Sequence, residues 1–294
     1  MNNDQSKAQE ASALRYKTVK VNGQDIFYRE AGSPDSPAIL LLHGFPTSSN
    51  MFRTLIPQLA GSFHLIAPDY PGFGLSSMPD RKDFDYSFEN LTNVVEKFVE
   101  EIGLKKYAMY VMDYGAPIGY RLALRQPEQI EAIIIQNGNA YDEGLLQFWD
   151  PIKKYWSDWS YENRDALRVL VKPQSTKWQY ENGVPDTSLL DPTAWLVDQV
   201  GLDRPGNEEI QMDLFYSYRT NVPLYPKFQE FFRKHQPRTL IVWGKNDFIF
   251  PPEGAAPYSR DLKNIETHLL DTGHFALETH VLEIADKIRT FLGK

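Results

Sequence analysis

The sequence predicts an α/β fold: a mostly parallel central sheet flanked by helices, with an inserted helical cap. Three observations predict it. Short apolar runs of strand length recur along the chain, stretches with helical periodicity fall between several of them, and one long aromatic region interrupts that rhythm. The 294 residues suffice for a single large α/β domain carrying an insertion. A composition of 42% hydrophobic and 24% charged residues is that of a soluble globular protein.

Taken in order, residues 1–11 are polar and lack the apolar stretch of a signal peptide, and the first dozen residues read as a loose tail. Residues 16–21 and 25–29 alternate around Asn22-Gly23, a hairpin turn signal. The runs 38–42, 63–67, 107–112, 132–136, 239–243 and 267–270 suit strands buried on both faces. Between them, 88–102 places Phe88, Leu91, Val94, Val95, Phe98 and Ile102 on one helical face, and 118–125 and 281–292 read similarly. Strands alternating with helices imply parallel pairing with both faces covered.

Residues 139–235 contain no buried strand run. They carry five of the six tryptophans, and Pro151, Pro173, Pro185, Pro192, Pro205, Pro223 and Pro226 limit helix length there. Strand runs resume at Thr239, so this region reads as a helical cap (139–235) inserted into a core made of 1–138 and 236–294. A second, independent domain is the alternative.

Charge and composition exclude several classes. A net charge of −8 and a pI of about 5.3 argue against nucleic acid or an anionic membrane surface as partner, since phosphate binding needs a basic face. No apolar run reaches the ~18 residues of a membrane span, and a cytoplasmic location is expected. With no cysteine there is no disulfide, thiolate metal site or cysteine nucleophile. The six histidines are scattered without ligand spacing, so no metal and no cofactor is expected.

Five segments carry candidate chemistry. The run Tyr107 to Met112 leads straight into Asp113, followed by Tyr114, Gly115, Ala116 and a helix. A sharp strand-to-helix turn needs small neighbours and lifts its apex side chain above the sheet. Alone, Asp113 reads equally well as a helix cap. The run from Ile39 to Leu42 ends in His43-Gly44-Phe45-Pro46; the N–H groups of Phe45 and Tyr114 could form an oxyanion hole, with His43 a structural histidine anchoring the loop. The stretch 69–76 is a tight glycine loop in which Asp69 satisfies backbone donors; it lacks the third glycine of a dinucleotide fingerprint. Asp247 follows a strand ending in Gly244, and His274 follows Gly273 after the last strand. Each is weak alone. Together they lie at the carboxyl ends of strands, where open α/β sheets place their sites, in the order oxyanion loop, apex acid, cap, acid, histidine.

That set of motifs, His43-Gly44-Phe45-Pro46, 69–76, Asp113-Tyr114-Gly115, Asp247 and Gly273-His274, resembles the α/β-hydrolase superfamily. Within it the chain looks like the branch of epoxide hydrolases and haloalkane dehalogenases, from about Tyr16 to the C-terminus. The G-x-S-x-G of serine hydrolases is absent, and Asp113 stands in the serine's place. The resemblance implies Asp113 as nucleophile, His274 as base and Asp247 as its partner. A carboxylate would attack an sp³ carbon to form an ester, which water activated by His274 would then hydrolyse.

The leaving group separates the two activities. In the resembling enzymes an epoxide oxygen takes help from cap tyrosines and a halide from tryptophan N–H groups, one directly after the nucleophile. This chain departs from both patterns: Tyr114 stands where tryptophan is usual, and Val111 stands where epoxide hydrolases usually have glycine. Tyr155 and Tyr216 are the expected cap tyrosines, Trp156 or Trp159 the alternative donors, and Asn137 lines the site in either case. The arginine that follows the nucleophile in fluoroacetate-type dehalogenases is absent. The reading favours an epoxide hydrolase acting on a small hydrophobic substrate and water. A haloalkane dehalogenase is the alternative; an esterase or lactonase, or a non-catalytic small-molecule receptor on the same fold, stands further off. The remaining cap aromatics are expected to pack between cap and core.

Overall fold

A computed structural model describes residues 13–294. The tail and the absent signal peptide read from residues 1–12 lie outside them. Eight strands form one sheet in the order β1-β2-β4-β3-β5-β6-β7-β8. They are β1 (Arg15–Val21), β2 (Gln24–Ala31), β3 (Ala38–Leu42), β4 (His64–Pro68), β5 (Tyr107–Met112), β6 (Ile130–Gln136), β7 (Arg238–Gly244) and β8 (Ile265–Leu270). Val21 pairs with Gln24 across Asn22-Gly23, whose φ angles of +49° and +82° give the hairpin expected there. β2 pairs antiparallel with β4; β3 pairs parallel with β4 and β5, and the parallel pairing continues through β6, β7 and β8.

Two hydrophobic layers sandwich the sheet because strand side chains alternate. Leu40, Leu42, Met109 and Val111 join the layer beneath the helices Phe88–Glu101 and Gly115–Arg125. Ile39, Leu41, Tyr110 and Met112 join the layer beneath Leu55–Leu59 and Ala276–Leu292. The Phe88–Glu101 helix starts where the Ser87 hydroxyl accepts the Asn90 N–H, and it buries Phe88, Leu91, Val94, Val95 and Phe98. The last helix starts at Ala276, five residues before the expected Val281. His280 breaks its helical geometry, and the regular apolar pattern begins only after that kink.

Between β6 and β7 the described elements are all helical. Four of the prolines there start helices: Pro151, Pro173, Pro192 and Pro226 each occupy one of the first two positions of a helix, where the missing N–H is harmless.

Candidate active site

β5 is buried throughout and delivers Asp113 with φ +49°, a left-handed conformation rare outside glycine. The turn is possible because its neighbours lack side chains. A Cβ on Gly115 would lie 2.2 Å from the Leu42 carbonyl oxygen, and one on Gly44 would lie 2.3 Å from the Asp113 Cβ. The β3 loop and the β5 turn therefore touch through backbone.

That contact sets the two oxygens of Asp113 apart. Oδ1 accepts the Phe45 N–H at 2.9 Å and also the Tyr114 N–H. Oδ2 instead faces His274, 3.6 Å from Nε2, which is longer than a hydrogen bond. His274 Nε2 has no hydrogen-bond partner, whereas Nδ1 sits 2.7 Å from Asp247 Oδ2. The carboxylate assigns the ring proton to Nδ1 and leaves Nε2 as the basic nitrogen.

The acid and the histidine are themselves held. Asp247 Oδ1 accepts the Ile249 N–H at 2.7 Å, and Oδ2 accepts Asn137 Nδ2 at 2.8 Å. Asn137, at φ +42° just past β6, also accepts the Gly244 N–H through Oδ1. Gln136 Nε2 donates to the His274 carbonyl at 3.0 Å, while its oxygen accepts the Tyr110 hydroxyl.

Asp113, Asp247 and His274 are all buried. Burial pushes the Asp113 carboxyl up to about 6, against the pull of His274 and of the N–H groups of Phe45 and Tyr114. Burial alone would make His274 a weaker base, but the charge and hydrogen bond of Asp247, with Asp113 adding, raise its proton affinity overall. His43 is a contrast. Its Nδ1 is 2.9 Å from the Gly44 carbonyl, its Nε2 accepts the Tyr70 N–H, and burial lowers its pKa to about 3. It is a neutral structural anchor. Asp69 accepts the N–H groups of Ser49 and Leu75, as the glycine loop requires.

Asp113 opens onto a cavity of about 20 Å³, about the space of one water. Phe45, Tyr114, Phe148, Trp149, Ile152 and Phe215 wall it, with Gln179 as a polar lining group from the helical segment. Gln179 is buried, and its side-chain amide forms no hydrogen bond among the described residues.

Of the four further residues expected at the site, Tyr155, Trp156 and Tyr216 do not line this cavity, and Asn137 reaches Asp247 instead. The Tyr155 hydroxyl accepts from Arg164 Nη1 and Trp159 Nε1. Tyr216 stacks on the exposed Trp159 and lies under the Arg219 guanidinium at 3.7 Å. Trp156 spends its N–H on the Phe215 carbonyl. Asn137 buttresses Asp247 rather than lining the cavity. The physical reason is helical rotation: residues two apart diverge by about 200°, so with Tyr216 turned outward Tyr218 turns in.

Tyr218 is buried against Tyr114, Phe88 and Trp149. The hydroxyls of Tyr114 and Tyr218 are buried without a hydrogen bond of ordinary geometry, although Tyr225 neighbours Tyr218 closely. Burial raises the pKa of both, and the Asp113 charge adds to it, so both stay protonated. Gln179 and Tyr218 were missed in the sequence because their helix faces carry no regular apolar period. Among the described residues no cluster of three or more His, Cys, Asp or Glu is placed to hold a metal, and no helix is long and apolar enough to cross a membrane.

With this geometry in hand, comparison with known proteins gives consistent results. The profile of a family described as alpha/beta hydrolase fold matches residues 37–281. An uncharacterized hydrolase of Saccharomyces cerevisiae is 46% identical over 279 residues, covering 93% of this chain and 96% of that protein. Epoxide hydrolase 3 of Mus musculus is 23% identical over 286 residues, covering 93% of this chain and 75% of its own. The crystal structure of haloalkane dehalogenase DbeA from Bradyrhizobium elkani superimposes with a TM-score of 0.80 at 20% identity, over 96% of this chain and 98% of that one, a likeness of fold.

Proposed function

The chain belongs to the alpha/beta hydrolase fold family, and on that premise we propose that it hydrolyses small hydrophobic epoxides through an ester on Asp113. The observation that carries this reading is the division of the Asp113 carboxylate, with Oδ1 on two backbone N–H groups and Oδ2 turned toward His274. A helix-capping acid has no need of that arrangement. A nucleophile that must also become an ester carbonyl does.

In the first step Oδ2 attacks an epoxide carbon. The C–O bond breaks and its electron pair goes to the ring oxygen, which the hydroxyls of Tyr114 and Tyr218 stabilise. In the second step His274 Nε2 takes a proton from water, and the resulting hydroxide attacks Asp113 Cγ. The negative charge collects on Oδ1, where the N–H groups of Phe45 and Tyr114 already point. Collapse expels the diol oxygen, which takes the proton back from His274, and the second proton of the water, left on the Asp113 carboxyl, passes to the ring oxygen to complete the diol and restore the carboxylate. Asp247 keeps the ring oriented and offsets its charge throughout. The helical segment 139–235 serves as a cap that shields the reaction from bulk water.

The choice of epoxide over halide rests on the donors. The indole N–H groups of Trp149 and Trp156 are committed to the carbonyls of Ile249 and Phe215, whereas the protonated Tyr114 hydroxyl has no partner and the Tyr218 hydroxyl has only Tyr225 beside it. Gln179 favours the second reading, haloalkane dehalogenation, since its amide N–H could hold a halide in the cavity.

The test is the mass of intact His274→Gln protein after incubation with styrene oxide and, separately, with 1,2-dibromoethane. A gain equal to the whole epoxide, mapped to Asp113, is expected. A bromoethyl adduct alone would move the assignment to dehalogenation. No adduct from either class would remove the ester mechanism and leave the family membership standing.

A further inference from the structure

The cavity at Asp113 is too small for the reaction proposed there. Its volume is about 20 Å³, the room of one water, whereas even the smallest epoxide has several heavy atoms. A substrate therefore reaches Asp113 only when part of the wall moves, and the wall is uneven. Phe45, Tyr114, Trp149, Ile152, Phe215 and Ile249 are buried. Phe148 and Leu170 line the same cavity but are only partly buried, which makes them the thin parts of the wall.

Phe148 continues outward into a cluster of rings. It stacks nearly parallel on Trp178 with ring centres 6.2 Å apart, and it meets Phe248 edge-on at 6.3 Å. Trp178 and Phe248 meet edge-on at 6.2 Å. Phe248 is 45% exposed, so the cluster runs from the cavity wall to the surface. Its members come from separate parts of the chain: Phe148 from the turn 147–149 after β6, Trp178 from the helix Pro173–Glu181, and Phe248 from the loop directly after Asp247.

No hydrogen bond among the described residues fastens these rings. The Trp178 indole N–H makes none, whereas those of Trp149, Trp156, Trp159 and Trp243 are each spent on an oxygen. Separations of this size lie toward the outer end of aromatic contact; Tyr180 and Phe275, by contrast, stack at 3.9 Å. The backbone beside Phe248 is fixed, with Asn246 Nδ2 on the Gly183 carbonyl at 2.9 Å and the Ile249 N–H on Asp247 Oδ1 at 2.7 Å. The rings can turn without disturbing the loop that carries Asp247.

We infer that Phe148, Trp178 and Phe248 form the entrance to the Asp113 cavity, and that Phe148, the member that also walls the cavity, limits the size of the substrate admitted. The inference rests on Asp113 as the reacting group. An entrance made of three rings suits a hydrophobic epoxide and gives a charged or strongly hydrated one nothing in exchange for its water.

Phe248 is the residue to change, because it belongs to the entrance without lining the cavity. In a His274→Gln background, the rate of Asp113 alkylation by styrene oxide is compared with the rate by the smaller propylene oxide. Phe248→Ala removes the Phe248 contacts with both other rings, so the open state is more populated. The styrene oxide rate should rise about tenfold, and the propylene oxide rate by less. Phe148→Ala should raise the ratio of the two rates as well. The chain has no cysteine, so Phe248→Cys introduces a single thiol. Capping that thiol with N-phenylmaleimide refills the entrance and should slow styrene oxide about tenfold or more relative to the same protein uncapped. Fluorobenzene gives a readout that needs no reaction at Asp113: its exchange with the protein, followed by fluorine NMR line shape, should be about tenfold faster in Phe248→Ala.

Adducts that form at an unchanged ratio of rates in Phe248→Ala and in Phe248→Cys, capped or uncapped, would place the entrance elsewhere and leave the ester mechanism standing. Adducts in no protein would remove the ester mechanism, and fluorobenzene then decides. Faster exchange in Phe248→Ala upholds the entrance; equal exchange, or no binding, overturns it.

Discussion

Oδ2 of Asp113 lies 3.6 Å from Nε2 of His274, while Oδ1 of the same carboxylate is held by the N–H groups of Phe45 and Tyr114. The two residues face each other without a direct hydrogen bond, so in the proposed ester mechanism the histidine would not compete for the attacking oxygen. It is placed to act afterwards, on water.

From this separation follows a difference between two variants. Asp113→Asn should lose ester formation altogether. His274→Gln should still form the ester but turn over about 10²- to 10⁴-fold more slowly, the usual loss for a general base. Quenched-flow mass spectrometry would show the ester accumulating in the second variant only. Equal, complete loss of alkylation in both would mean that His274 acts before the ester and not after it.

The pH profile separates the same two groups. In the proposed mechanism Asp113, raised to about 6 by burial, attacks only when ionised, so alkylation should be lost as pH falls through its pKa. His274 must be neutral to accept a proton, and its affinity for the proton is raised by Asp247, so its limb is also lost on the acid side. Single-turnover alkylation of His274→Gln should therefore titrate above pH 6, because the variant also lacks the pull of His274 on the carboxyl, whereas turnover of the native enzyme reports both groups. A pH-independent alkylation rate between pH 5 and 8 (bounds of the assay) would contradict the buried-carboxylate picture.

Stability carries the opposite sign. A carboxyl whose folded pKa is raised binds its proton more tightly in the native state, so its contribution is full below the unfolded value of 3.8 and is lost as pH rises through about 6. At pH 7 the ionised Asp113 destabilises the fold by about 3 kcal/mol. Asparagine also tolerates the left-handed turn and still offers Oδ1 to Phe45 and Tyr114. Asp113→Asn should raise Tm by about 5 °C or more at pH 7, with the gain shrinking toward pH 4. Scanning calorimetry at the two pH values checks it, and an equal shift at both would show that the charge is not the cause.

Much of this was legible in the sequence. The strand runs, the Asn22-Gly23 hairpin and the order of Asp113, Asp247 and His274 could be read because each depends on short-range rules: alternation, turn chemistry, and small residues beside a sharp turn. What could not be read was side-chain direction within the helical segment. The choice between Tyr216 and Tyr218 is a rotation about a helix axis, fixed by contacts with Phe88 and Trp149 that are distant in sequence. Asn137 was expected to line the site, whereas its support of Asp247 depends on a left-handed residue just past β6, bonded to the end of β7, that no local pattern announces.

Asn137 offers a test of that buttress. Its amide holds Asp247 Oδ2 and its oxygen holds the Gly244 N–H, so Asn137→Ala removes both bonds and strains a φ of +42°. Stability should fall by about 2–4 kcal/mol, since a buried acceptor and donor lose partners together. In the folded fraction, hydrolysis of the ester should slow more than its formation, because only the second step uses the Asp247–His274 pair. A variant that slows both steps equally would make Asn137 a general structural support rather than a positioning residue for the acid.

The tyrosines provide the sharpest test of the substrate class. Tyr114 and Tyr218 stay protonated and both feel the Asp113 charge, and a hydrogen bond to a developing alkoxide is worth about 1.5–3 kcal/mol. Tyr114→Phe and Tyr218→Phe should each slow epoxide alkylation of Asp113 by about 10- to 100-fold. Both substitutions keep the ring packing against Phe88 and the rest of the aromatic cluster, so folding should be little affected. The measurement is the single-turnover rate in a His274→Gln background, where later steps do not interfere. If both phenylalanine variants alkylate at the parent rate while Gln179→Leu does not, the leaving group is held by the Gln179 amide and not by phenols. The assignment would then shift from an epoxide oxygen toward a halide.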